Sequence, residues 1–212
     1  MRKQILYLII LFLLTIPSLW SIFRPGFFTF NDETQIVNLH QFIKAIDLSQ
    51  FPPRWAPDFH FTYGSPYPEF NYQLPYYLGW VFHHLGFSLT GSYKLLLGLT
   101  LPVGALGMFL LARLFTSTPL ALASAVIYTF TPYRAVDVYV RGTVGESFAL
   151  AIFPFVVYFL FRLSKNQNSK NILLCTVSVS ALILSHQIAC LLFLPPIFIL
   201  FAILCKKSIK SL

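Results

Sequence analysis

The sequence predicts an all-α membrane protein, with about six transmembrane helices and a large first extracytoplasmic loop that carries interfacial amphipathic helices. Three observations predict it. Of 212 residues, 57% are apolar and 17% aromatic, while Asp, Glu, Lys and Arg together make up 10%, against about 25% in soluble domains. Several uncharged stretches reach the ~17 residues that cross a hydrocarbon core of about 30 Å, so they read as spans rather than buried core helices. Lysine and arginine stand in small groups at the ends of these stretches, where they orient helices in a bilayer. The net charge of +8 forms no basic stripe interleaved with polar residues, so no nucleic-acid partner is expected.

In chain order, Met1-Arg2-Lys3-Gln4 precedes an apolar run over 5–23. That run is long and has no small-x-small cleavage site before Arg24, so it reads as an uncleaved anchor. Further spans are expected near 94–115, 118–133, 144–163, 171–185 and 189–205, with an external loop over 24–93. The 118–133 and 171–185 segments are short for a bilayer and need local thinning or snorkelling ends. Cys175, Cys190 and Cys205 are odd in number and lie within or at the ends of apolar segments. Without Cys-x-x-Cys or Cys/His spacing they suggest neither a disulfide framework nor a zinc site.

Orientation turns on residues 76–89, about fourteen residues with His83-His84 near the centre. If this segment lies along the interface and the N-terminus is cytoplasmic, nine cations are inside: Arg2, Lys3, Arg113, Arg162, Lys165, Lys170, Lys206, Lys207 and Lys210. Six are then outside: Arg24, Lys44, Arg54, Lys94, Arg134 and Arg141. A spanning 76–89 leaves only five inside, so the positive-inside rule favours a multi-pass protein of the cell membrane with both termini cytoplasmic. In that topology all seven carboxylates, Asp32, Glu33, Asp47, Asp58, Glu69, Asp137 and Glu146, share the outer side. So do His40, His60, His83, His84 and His186.

The external loop opens Asn31-Asp32-Glu33-Thr34-Gln35, where Asp32 and Gln35 have capping-box spacing and predict a helix start. Ile36, Leu39, Phe42, Ile43 and Ile46 fall on one face of that helix, with Glu33, His40, Lys44 and Asp47 opposite, as expected of a helix on the outer leaflet. The polar face suits solvation or a site equally, and Asp32 suits an N-cap or chemistry. The proline- and aromatic-rich remainder, through Phe51-Pro52-Pro53-Arg54-Trp55, Tyr63-Gly64-Ser65-Pro66 and Asn71-Tyr72-Gln73, is too aromatic for a disordered linker and should fold against the membrane body. The second external loop places Arg134, Asp137, Arg141 and Glu146 at the mouth of two spans. There Arg141 either pairs with Glu146 or meets a phosphate, which its planar fork suits.

An anchor span, a cytoplasmic N-terminus and a large external loop with an early Asp-Glu pair, Asp32-Glu33, followed by His40, resemble the N-terminal module of the GT-C glycosyltransferase superfamily. A closer resemblance is to bacterial and archaeal membrane proteins labelled 6-pyruvoyl-tetrahydropterin synthase-related. It rests on Phe51–Trp55, Tyr63–Pro66, Leu74-Pro75-Tyr76-Tyr77-Leu78-Gly79, the block from Pro132 to Gly142, Glu146 and Leu184-Ser185-His186-Gln187. The pterin part of that label finds no zinc-binding histidine set here. Those relatives often place a histidine beside the first aspartate, where this chain has Asn31. They also run several hundred residues longer, so this chain is expected to be the front piece of a longer protein, with the C-terminal part of the same protein as a partner.

The resemblance implies transfer of a sugar from a polyprenyl-phosphate donor to an acceptor at the outer membrane surface, with membrane lipid around the spans. Asp32 would be the base, and Arg54, Arg134, Arg141, Glu146 and His186 would contact substrate or phosphate. Glu33 and His40 would hold a divalent cation, Mg²⁺ or Mn²⁺ by the oxygen-rich ligation. Two alternatives are a transporter or flippase component, disfavoured by spans nearly free of ionisable groups away from their ends, and a non-catalytic membrane fragment.

Overall fold

The computed structural model describes residues 2–26 and 31–210. The side chains of 2–4 and 204–210, among them Arg2, Lys3, Cys205, Lys206, Lys207 and Lys210, lie outside the described residues. The described chain is helical, with one isolated β-bridge between Ala56 and Ser65. Its helices are α1 (Arg2–Leu19), α2 (Thr34–Asp47), α3 (Tyr67–Phe70), α4 (Leu74–His84), α5 (Leu89–Ala112), α6 (Thr118–Thr129), α7 (Pro132–Val136), α8 (Val144–Lys165), α9 (Ser169–Ser185) and α10 (Gln187–Lys210). A π-helical turn, Asp137–Arg141, joins α7 to α8.

Helices α5 and α8, 24 and 22 residues long, are long and apolar enough to cross a bilayer. Shorter apolar stretches run over Ile5–Leu19, Thr118–Thr129, Ser169–Ser185 and Gln187–Ile203. The expected 118–133 segment breaks after Thr129, because Pro132 starts a new helix. Helices α5 and α8 form the centre, with α1 and α6 against α5 and with α9 and α10 against α8. At their crossing a Cβ on Gly107 would come within 2.8 Å of the Phe155 ring. Glycine therefore sets the close approach of the two helices. The outer surface is apolar: Leu13, Leu120, Ile127, Leu173, Leu191 and Phe198 are exposed, whereas Ser92, Thr100, Asp137 and Ser147 are buried. Polar groups inside and apolar ones outside suit a hydrocarbon solvent.

Helix α4, with eleven residues, is about 16 Å long at 1.5 Å per residue and cannot cross alone. It packs against α2 and α5. Its Trp80 indole donates to Asp47 at 3.3 Å, and His84 Nε2 lies 3.3 Å from the same carboxylate. Helix α2 buries Leu39, Phe42 and Ile43 as its spacing predicts, but also Asn38 and Gln41. The loop 51–73 folds over that second face: Gln41 exchanges two hydrogen bonds with Asp58, while Lys44 Nζ donates to the same carboxylate at 2.7 Å. The loop thus covers α2 at Asn38 and Gln41, while Glu33, His40 and Asp47 stay exposed on its polar face.

The capping box is corrected too. Glu33 holds the N-cap position without a side-chain cap bond. The Gln35 side chain instead accepts from the phenols of Tyr72 and Tyr76, the latter at 2.7 Å. Two buried phenols need an acceptor, and Gln35 Oε1 supplies it.

Candidate functional site

Three segments distant in sequence meet at one end of the helical body. The π turn ends at Gly142, whose φ of +67° reverses the chain into α8, a conformation glycine adopts without steric cost. The carbonyl of Gly142 accepts from the Tyr93 phenol. The carbonyls of Val140 and Arg141 accept from the backbone N–H groups of Asn31 and Asp32 at 2.9 and 3.0 Å. The start of the first loop is thereby pinned behind Arg141. The N–H of Gln73 donates to the Leu184 carbonyl at 3.1 Å, which ties the end of that loop to the end of α9.

Asp137 anchors the turn from within. Its side chain is 1% exposed. Oδ1 accepts from the Thr143 hydroxyl and, at 3.3 Å, from Arg141 Nη1, while Oδ2 accepts from Ser147 Oγ at 2.7 Å. Burial pushes its pKa up from the ordinary carboxylate value, because desolvation penalises the charged form. Arg141 reaches from this cage to Glu146, with Nη1 2.7 Å from Oε2. The Tyr133 phenol donates to the other Glu146 oxygen.

His186 closes the arrangement. Its Nδ1 accepts from the Ala189 N–H at 3.1 Å and so caps the start of α10. An acceptor Nδ1 assigns the neutral ring its proton to Nε2. Burial holds the pKa of His186 below the usual histidine value, which favours that neutral form. The ring packs 5.6 Å from the ring of Tyr72. Tyr72 lies so close to Gly145 that a Cβ there would overlap its ring.

Between these groups lies a cleft of about 390 Å³ lined by Tyr133, Arg141, Glu146, Leu150, His186, Ile188, Ala189, Leu192 and Phe193. Its lining joins the polar Tyr133, Arg141, Glu146 and His186 to an apolar wall of Leu150, Ile188, Leu192 and Phe193. Ile188 and Leu192 are 66% exposed on the outer face of α10, so the apolar wall continues onto the exposed apolar surface. The first turns of α8 and α10 both border the cleft. Their positive dipole ends favour an anion there.

Three sequence-predicted residues, Arg141, Glu146 and His186, therefore share one cleft, and Asp32 stands directly behind Arg141 through its backbone bond. Others fall elsewhere. Arg54 is exposed and lies 3.4 Å from Glu69. Arg134 is buried: Nη2 donates to the Thr100 carbonyl at 2.7 Å, the guanidinium lies 4.9 Å from the centre of the Tyr128 ring, and Nη1 has no hydrogen-bond partner among the described residues. It points into the body beside Gly104, where a side chain would collide with it, and not to the cleft mouth. Glu33 and His40 are exposed and seven residues apart, about 10 Å along a helix axis. Among the described residues no three His, Cys, Asp or Glu side chains gather as metal ligands, so this pair does not fit a bound divalent cation.

Sequence reasoning missed Tyr72, Tyr76 and Gln35, which brace the cleft from behind, and Thr143 and Ser147, which cage Asp137. The nearest signal is Gly142-Thr143 followed by Glu146-Ser147: hydroxyls in the first turn of a helix beside a charged turn.

A buried polar end on a helical body with an apolar exterior defines a helical membrane protein. The particular family follows: the chain belongs to the 6-pyruvoyl-tetrahydropterin synthase related membrane proteins, whose domain matches residues 70–212. No curated protein and no solved structure matches the chain.

Proposed function

We propose that this chain is a GT-C-type glycosyltransferase module of six spans with both termini cytoplasmic, acting at the extracytoplasmic surface on a polyprenyl-phosphate sugar. One observation carries the reading: a cleft with a guanidinium, a neutral imidazole and two helix N-termini at its mouth, and an apolar wall running out to exposed α10 side chains. That combination suits a phosphate on a hydrocarbon chain. Spans shorter than the bilayer, α6 above all, would be accommodated by local thinning.

In this reading Arg141 and the Nε2–H of His186 neutralise the leaving phosphate. Asp32, fixed behind Arg141 by the turn, deprotonates the acceptor hydroxyl. Inversion at the anomeric carbon follows from direct attack. Arg54 and Arg134 have no part in it. Glu33 and His40 are retained as donor contacts, and no step passes through a metal.

The test is Asp32→Asn in an active form of the protein extended in frame, assayed with a labelled polyprenyl-phosphate sugar. Asparagine caps as well as aspartate, so a structural role survives the change, whereas loss of a base should lower transfer by at least about a hundredfold. Glu33→Gln and His40→Ala should impair turnover, and Asp47→Asn should matter little. Near-normal transfer by Asp32→Asn would remove Asp32 as the base and leave Glu146, the carboxylate that lines the cleft.

A further inference from the structure

The cleft holds one guanidinium already shared between two carboxylates. Arg141 Nη1 stands 2.7 Å from Glu146 Oε2 and 3.3 Å from Asp137 Oδ1. Asp137 is enclosed by Thr143 and Ser147 and does not face the cleft space. Glu146 does, and Tyr133 holds its second oxygen in place. His186 presents a neutral ring, with Nδ1 committed to the Ala189 N–H. An anion entering the cleft therefore finds one full positive charge and the fractional charges of two helix starts, with the Glu146 carboxylate fixed beside them.

This arrangement treats phosphates unequally. A phosphodiester carries one negative charge at neutral pH, and sharing Arg141 with Glu146 leaves it a partner. A phosphomonoester above its second pKa of about 6 carries nearly two. The second charge meets no second cation and lies within a few ångströms of Glu146, where like charges repel strongly in a partly desolvated site. We propose that Glu146 is the specificity-determining residue of the cleft, making it select a lipid phosphodiester over the phosphomonoester of the same lipid. The inference rests on the reading of the cleft as a lipid-phosphate site and deepens it. A sugar-loaded carrier is a diester and the spent carrier a monoester, so the same carboxylate that tolerates the donor drives the product out.

The experiment titrates the 212-residue chain, in nanodiscs of neutral phosphatidylcholine, with farnesyl phosphate and with its methyl diester, by calorimetry at pH 8 and pH 5.5. At pH 8 the diester should bind on the order of tenfold more tightly. At pH 5.5 most of the monoester has lost its second charge and the gap should narrow. Arg141 and Tyr133 hold their protons throughout this range. Any added proton at Asp137 or His186 shows in the diester's own change between the two pH values, and Glu146→Gln assigns the remaining difference. Glu146→Gln keeps the size of the side chain and should close the gap at pH 8 by tightening the monoester, whereas Arg141→Met should weaken both lipids. Equal binding by the parent at pH 8, or a preference that persists in Glu146→Gln, overturns the role of Glu146 while Arg141-dependent diester binding leaves the phosphate reading standing. Binding of neither lipid, or binding indifferent to Arg141→Met, overturns both. Equal binding by the parent at pH 8 needs no variant, so the proposal can be overturned even where Glu146→Gln fails to fold.

Discussion

The two ends of the helical body are built on different principles. At one end the segments around 31–35, 72–76, 137–147 and 186 are cross-linked by carboxylates, phenols and hydroxyls, and Asp137, Arg141 and Glu146 there have specific partners. At the other, the turns near 113–117 and 166–168 are short, and their cations meet no carboxylate among the described residues: Arg113 donates to the Thr116 carbonyl at 2.9 Å and Arg162 to the Tyr158 phenol at 3.2 Å. Arg162 and Lys165 stand in the last turn of α8, where cations complement the helix dipole. Charge at the first end organises structure around a cleft, whereas charge at the second suits orientation in a bilayer.

The sharpest way to break this contrast is to ask whether the two ends lie on opposite sides of the membrane. Single cysteines, in a background lacking Cys175, Cys190 and Cys205, should label from outside at His60 and Val140 and only from inside at Gln167. All three positions are exposed, so protection would report the membrane and not burial. The expected effect is all or none. External labelling at Gln167 with protection at Val140 would mean that 76–89 crosses after all.

A smaller effect separates two arginines seven residues apart. Arg141→Met strands Glu146 and Asp137 and should lower stability by about 1–2 kcal/mol, since the pair is partly solvated. Arg134→Met exchanges a buried guanidinium without a carboxylate for an apolar chain of similar length, and should leave stability within about 1 kcal/mol of the parent or raise it. Thermal unfolding in detergent distinguishes them, and a large loss for Arg134→Met would show that its Thr100 and Tyr128 contacts outweigh its desolvation.

These arginines also mark what the sequence made legible. Apolar runs disclosed the long helices to within a few residues, because bilayer length and hydropathy act locally along the chain. The charged mouth between two spans was legible as charge density, and Arg141, Glu146 and His186 do meet there. The direction of each side chain was not legible. Pro132 starts a new helix, and Arg134, two residues in, turns towards the space left by Gly104. The bonds of Gln35 to Tyr72 and Tyr76 join residues 37 and 41 apart, beyond the reach of any periodicity, and they displaced the local capping box that spacing alone favoured. For the divalent cation expected at Glu33 and His40, one helix face supplies two donors seven residues apart and no third gathers with them among the described residues.

The smallest effect concerns pH and isolates the polar end, because the opposite turns carry no carboxylate to titrate. Burial raises the folded-state pKa of Asp137 above an unfolded value of about 3.9. The folded chain therefore holds this proton more firmly than the unfolded one. The associated stability is fully present below the unfolded value and is lost as pH rises through the folded value. Asp137→Asn has no proton to lose, so its stability should be flatter across that window. It should sit lower than the parent by about 1 kcal/mol at the acid end of the window, because an amide nitrogen cannot accept from Ser147 as Oδ2 does, and the gap should shrink as pH rises. Unfolding followed from pH 4 to pH 8 in parent and variant measures both features. A parent curve that rises with pH where the Asp137→Asn curve is flat would mean that the Arg141, Thr143 and Ser147 contacts overcome burial and hold Asp137 as a carboxylate.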